Sequence, residues 1–364
     1  MKWSWKIGRL AGIDIFIHAT FLMLLAWIGL SEYFPDQNIS RAASGIGFSL
    51  CLFSIVVLHE LGHCLTARRF GIRTRDITLL PIGGVARLER IPEDPRQELL
   101  VALAGPAVNV VLALILFGLL AAGNKISGAA RFGLMGGSLA ANLMWINVSL
   151  ALFNMLPAFP MDGGRVLRAV LAMKMNHAKA TTIAARVGQG MAVVLGLAGF
   201  HFENPVLVFI AVFVWVGAAR ESGATQVKSA LTGLHVGRVM ITAFGTLTPG
   251  EPLARAVEHV LSGYQHDFPV VENGQLLGIL TRDDLLTGLA RHGQSALVRD
   301  VMQRKVRSAG PMEMVEEVWA RLGEDDCRTI PVVHENRLVG ILTSENLGEY
   351  LMFQAALANP RRGG

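Results

Sequence analysis

Ile55-Val56-Val57-Leu58-His59-Glu60-Leu61-Gly62-His63-Cys64 decides how this chain is read. It lies in an apolar stretch at 44–67, long enough to cross a hydrocarbon core, which needs roughly 20 helical residues. In a helix, His59 and His63 stand one turn apart and project from one face, so two imidazoles reach one metal ion. Glu60 is beside that face, placed to take a proton from water acidified by such an ion. The competing reading is a pair of hydrogen-bonded core histidines. It is weakened here because ionisable groups inside an apolar span are costly and mark function.

Two histidines do not complete a catalytic zinc site, which takes a third protein ligand and leaves one position open. A third His six residues after the second is excluded, since Arg69 stands there. Glu89 and Glu93 follow within reach along the sequence, but their arginine-rich surroundings favour solvated ion pairs. The better candidate lies in Asn154-Met155-Leu156-Pro157-Ala158-Phe159-Pro160-Met161-Asp162-Gly163-Gly164-Arg165. Its prolines interrupt a helix and free backbone at membrane depth, which is tolerated where it lines a protein cavity. Asp162 can reach the depth of His63, which precedes the basic cluster at Arg68 by five residues, about 8 Å of helix. The alternative is that Asp162 only caps the helix that follows.

The rest of the chain fits a membrane setting. Of 364 residues, 52% are hydrophobic and 17% charged, with a mean hydropathy of +0.45. Six apolar stretches, at 12–34, 44–67, 98–122, 134–156, 180–200 and 204–219, predict about six transmembrane helices. The charged start MKWSWKIGR is like that of a signal peptide, but no small-residue cleavage site follows, so 12–34 is expected as an uncleaved first helix. One set of flanks holds Lys2, Lys6, Arg9, the arginines from Arg68 to Arg96, then Arg165, Arg168, Lys174 and Lys179. The other holds Arg41, Lys125 and Arg131. The excess of basic residues on cytoplasmic flanks puts both termini inside a cell (inner) membrane. No Lys/Arg run with interleaved aromatics points to nucleic acid. Cys51, Cys64 and Cys327 are too scattered for a disulfide framework or a cysteine zinc site.

From about residue 220 the pattern changes, and 221–235 reads as a linker to a soluble region that repeats itself. VGRVM at 236–240 matches VRDVM at 298–302, FPVV at 268–271 matches IPVV at 330–333, and GILTRDDL at 278–285 matches GILTSENL at 340–347, each offset by 62 residues. Each unit reads helix, strand, strand, helix, with units at 236–293 and 298–354.

Through HELGH and the N-x-x-P…DGG segment, residues 1–220 resemble the site-2 proteases, intramembrane zinc metalloproteases. Ala104-Gly105-Pro106-Ala107-Val108-Asn109 is similar to that family's small-residue G-P-x-x-N segment, and Pro81–Leu88 to its membrane-associated β-hairpin. The resemblance implies a polytopic α-helical membrane domain holding one Zn2+ on His59, His63 and Asp162. It further implies Glu60 as catalytic acid/base and Asn154 as a polar group near the substrate or oxyanion. Clients would be membrane proteins with a transmembrane segment, unwound within the lipid bilayer and held extended beside the strand that begins at Gly83 and Gly84.

The repeats resemble a soluble α/β tandem CBS domain, a module that binds ATP or another adenine nucleotide and forms homodimers. The resemblance implies Thr281, Asp284 and Thr343 as nucleotide contacts, with Asn346 standing where the first unit has Asp284. A dimerisation scaffold is the alternative for this pair. For the whole chain, a transporter regulated by its soluble pair and a catalytically silent scaffold are the rivals. The first predicts metal flux across the membrane and indifference to Glu60→Gln, and the second is excluded by a time course of client cleavage by wild type alone.

Overall fold

The computed structural model describes residues 3–89, 92, 94–123, 138–263, 265–322 and 329–358. Lys2, Glu93, Lys125, Arg131, Cys327 and the first positions of the stretch expected at 134–156 lie outside them. The chain divides into two units, Met1–Thr225 and Gln226–Gly364.

The first apolar run of unit one does not begin as a helix. In Ile13-Asp14-Ile15-Phe16-Ile17-His18 an isoleucine recurs at every second position, the period that presents one face of a strand. These residues form β2 (Ile13–His18), antiparallel to β1 (Ser4–Leu10). Between them Ala11 and Gly12 have φ of 50° and 88°, the positive pair that suits a two-residue hairpin turn. The helix expected over 12–34 is therefore only α1 (Ala19–Tyr33). His18 caps it, its Nδ1 accepting from the Thr20 amide at 3.3 Å.

After α2 (Ile39–Arg69), β3 (Thr74–Leu80) runs parallel to β2 and turns into antiparallel β4 (Gly83–Leu88). The expected hairpin at 81–88 is thus the turn and last strand of a four-stranded sheet ordered β1-β2-β3-β4. Arg87 clamps Asp76 across β3 and β4 with bonds of 2.9 and 2.7 Å, and β4 is left as an edge.

The remaining helices of this unit are α3 (Pro95–Ala122), α4 (Leu139–Asn154), α5 (Asp162–Ala172), α6 (His177–His201) and α7 (Pro205–Leu231). Among the described residues four, α2, α3, α6 and α7, are long and apolar enough to cross a membrane. The apolar α1 and α4 have 15 and 16 residues, short of a full span, so the expected count of six is not reached by length. α2 and α3 approach closely at Gly62, where a Cβ would lie 2.8 Å from the Ala104 carbonyl oxygen.

The expected linker at 221–235 is helical as far as Leu231, because α7 continues without a break. Val227 and Leu231 then join the core of unit two. There α8 (Leu253–Ser262), β5 (Phe268–Glu272), β6 (Gln275–Leu280) and α9 (Arg282–His292) make one repeat. After the short α10 (Val298–Val301), α11 (Val315–Leu322), β7 (Thr329–His334), β8 (Arg337–Thr343) and α12 (Ser344–Ala358) make the other. The lead-in segments are exchanged: Ile241 pairs with Ile341 in the second repeat, and Gln303 pairs with Ile279 in the first. Val236 accordingly packs with Ile330 and Val332, and Val298 with Phe268 and Val270.

Candidate metal centre

His59 and His63 project from α2 as their spacing predicts, and both are buried, at 7% and 5% exposure. The segment 155–161 leaves α4 and re-enters helix at Asp162. Met161 is the N-cap of α5 and makes no side-chain cap bond, so Asp162 is the first helical residue and not the cap. Its carboxylate instead meets the imidazoles: Oδ2 lies 3.2 Å from His59 Nε2 and 3.1 Å from His63 Nε2, and the two Nε2 atoms are 3.1 Å apart.

The histidine tautomers follow from the opposite ring edges. His59 Nδ1 lies 2.6 Å from Asn109 Oδ1 and His63 Nδ1 lies 2.7 Å from the Val101 carbonyl oxygen. Both oxygens accept, so each Nδ1 carries a proton, and in the neutral ring that metal binding requires each Nε2 presents a lone pair. Two lone pairs and a carboxylate oxygen then converge with no proton to share, an arrangement that repels itself unless a cation sits among them. The separations are close to about 3.3 Å, the edge of a tetrahedron with corners about 2.0 Å from its centre, as for nitrogen and oxygen ligands of zinc. The donor set fits zinc. Among the described residues this is the group of three His, Cys, Asp or Glu donors placed to hold a metal, with ligand atoms all within 4.8 Å of one another.

Gly105 explains how α3 comes so near. A Cβ there would fall 2.2 Å from His63 Nε2 and 2.6 Å from His59 Nε2, so only glycine fits. Glu60 is half-buried beside the cluster, and a Cβ on Gly84 of β4 would lie 2.9 Å from its Cγ. The sheet edge therefore passes against the glutamate. Gly83, with φ of 134°, begins that strand. Asn154 closes α4 and is half-buried, and its amide makes no hydrogen bond to the cluster.

Two supporting contacts escape sequence reasoning. Asn109, the last residue of the G-P-x-x-N segment, is the fully buried partner of His59. Arg168, counted among flanking surface charges, is 1% exposed and ion-paired to Glu98 at 2.5 Å.

In unit two a cavity of about 1070 Å³ is lined by residues of both repeats. Thr281, Thr343 and Asn346 line it, whereas Asp284 does not. The Asp284 Oδ2 accepts instead from Thr281 Oγ1 at 2.6 Å and Gln303 Nε2 at 2.8 Å.

A histidine pair and a carboxylate converging among apolar helices are the donor set of a candidate metal centre. The sequence profile of peptidase family M50 matches residues 47–134 and 127–195, and that of the CBS domain matches 236–291 and 298–352. A zinc metalloprotease of Methanocaldococcus jannaschii is 32% identical over 348 residues, 95% of this chain and 96% of that one. The CBS domain-containing protein YhcV of Bacillus subtilis is 31% identical over 111 residues, 30% of this chain and 79% of that one. Among solved structures, the site-2 protease from Methanocaldococcus jannaschii is 36% identical, covering 60% of this chain and 95% of that chain with a TM-score of 0.44. The chain belongs to peptidase family M50: it is a zinc metalloprotease of the site-2 type carrying two CBS domains.

Proposed function

We propose that this zinc metalloprotease cleaves peptide bonds within or beside transmembrane segments of other membrane proteins, with His59, His63 and Asp162 holding the ion. The observation that carries this reading is the meeting of two imidazole Nε2 atoms and a carboxylate oxygen, 3.1–3.2 Å apart, among apolar helices. When bound, zinc supplies a Lewis acid that acidifies water and polarises a carbonyl oxygen. Glu60 takes the proton of the attacking water as the C–O bond forms, and returns it to the amide nitrogen as the C–N bond breaks. Asn154 donates to the developing oxyanion.

A client helix hides its carbonyls in its own hydrogen bonds and must be held unwound. The edge strand β4 offers backbone groups for that pairing, and Gly83 and Gly84 keep the edge bare beside Glu60. The asymmetry of basic flanks supports a cell-membrane protein with both termini and the CBS pair in the cytoplasm.

The cavity between the repeats supports binding of an adenine nucleoside or nucleotide that modulates cleavage, with Thr281 and Thr343 as contacts. Its described lining residues include four carboxylates, Asp267, Asp283, Glu345 and Glu349, against one guanidinium, Arg282, and two histidines, His259 and His266. That balance favours a ligand with few phosphates. The CBS pair also supports a homodimer.

The test is co-expression of wild type and Glu60→Gln with single-pass membrane proteins, mapping new termini by mass spectrometry. Cleavage by wild type alone supports the reading. Equal cleavage by Glu60→Gln would sink it.

A further inference from the structure

Asp162 has no helix before it to fix its place, since the residues from Met155 to Met161 lie outside helices and the cap of α5 makes no side-chain bond. Gly163 and Gly164 press against the backbone of Met155–Phe159, and a second attachment of α5 lies further along. Six residues on, about 9 Å of helix, Arg168 is buried at 1% exposure. Its Nε and Nη2 lie 2.7 and 2.5 Å from Glu98 Oε1 on α3, and its Nη1 donates to Glu221 Oε1 on α7. The guanidinium also stands over the Phe159 ring, 5.1 Å from its centroid, inside the proline-broken segment. His177, at the start of α6, places Nε2 3.5 Å from Glu98 Oε2. Three helices and the broken segment therefore meet on the Arg168 side chain, and α6 joins them through Glu98.

The attachment on α3 is informative. Glu98 is 2% exposed and precedes Val101 by one turn, and the Val101 carbonyl holds His63. One stretch of α3 thus grips both the helix that bears Asp162 and a histidine that Asp162 meets. Apolar residues of similar volume would fill this space at least as stably, since buried ion pairs seldom repay their desolvation. A charged cluster with directed bonds sets rotation and depth, which apolar packing sets poorly.

We propose that Arg168 is a positioning residue that sets Asp162 against His59 and His63, with Glu221 as the arm through which α7 adjusts that setting. Glu221 is the more exposed of the two carboxylates on Arg168, its side chain 30% accessible against 3% for Glu98. α7 continues unbroken from Pro205 to Leu231, whose side chain is in the core of unit two. One unbroken helix thus runs from Leu231 back to Glu221, and the Glu221–Arg168 ion pair joins it to the ligand helix. This last clause rests on the regulatory reading given above.

The test uses the full-length protein in detergent, with cobalt(II) in place of zinc so that visible d–d absorption reports ligand geometry. Glu221→Gln leaves Arg168 and Glu98 paired, and is expected to melt as wild type does. Its cobalt spectrum should shift, its zinc affinity fall about tenfold, and kcat fall with KM unchanged. Arg168→Lys should shift the spectrum further in the same sense. A wild-type spectrum and wild-type zinc affinity in both Glu221→Gln and Glu221→Ala would overturn the proposal. Adenosine should shift the wild-type spectrum and leave that of Glu221→Gln unmoved. A wild-type protein silent to adenosine would overturn the regulatory clause alone, because the ligand-free comparison decides the positioning role independently.

Discussion

The Nδ1 of His59 and the Oδ1 of Asn109 lie 2.6 Å apart, although fifty residues separate them in the chain. This bond fixes which imidazole nitrogen faces Asp162. Asn109→Leu removes the acceptor while keeping the size of the side chain, so His59 is free to turn and to change tautomer. Zinc affinity should fall about 10–100-fold, as measured by competition with a chromophoric chelator. Asn109→Asp, which restores the acceptor, should recover most of it.

Gly105 makes a sharper prediction. A methyl group there would occupy the place of the two Nε2 atoms, at 2.2 and 2.6 Å. Gly105→Ala should abolish stoichiometric zinc, read by atomic emission of the purified protein, at a stability cost of about 1–3 kcal/mol. Full zinc content in this variant would mean that α3 stands further from α2 than described.

At Gly84 binding and chemistry separate. A Cβ would lie 2.9 Å from Glu60 Cγ and 3.1 Å from Val56 Cγ1, away from the three donors. Gly84→Val should keep zinc and displace Glu60, lowering kcat by roughly the 10²–10⁴-fold that general acid/base catalysis contributes. A cleavage assay paired with metal analysis reads both quantities.

Much of this centre was legible because its spacing is local. His59, Glu60 and His63 fall within one turn and a half of a single helix, so α-helical geometry alone aligned them. Asp162 was found through its prolines, which mark where backbone leaves a helix inside the membrane. Asn109, Val101 and Arg168 were not legible in those roles, because each acts across a helix crossing that sequence does not specify. Arg168 looked like one more flanking charge, and only its pairing with Glu98, 70 residues away, makes it interior. The start of the first helix is ambiguous in sequence for another reason. An apolar run satisfies strand and helix alike, and the alternation of isoleucines from Ile13, together with the Ala11-Gly12 turn, was the deciding signal.

Ligand binding to unit two should appear as stabilisation. A nucleoside at a hundred times its Kd raises unfolding free energy by about 2.7 kcal/mol. Thr281→Val and Thr343→Val together should abolish that gain in a thermal melt monitored with adenosine. A cavity that binds nothing would leave the melting curve of the wild type unchanged.

The exchanged lead-in segments of that unit also bear on how the chain can be cut and inherited. Because Ile241 completes the repeat built around Ile341, and Gln303 completes the one built around Ile279, neither repeat owns all of its own core. A nick between Gly293 and Leu297 would release no domain, a chain truncated there would lack the partner of its first segment, and deletion of one repeat would orphan half of the other. Only gain or loss of the pair as a block preserves a foldable product.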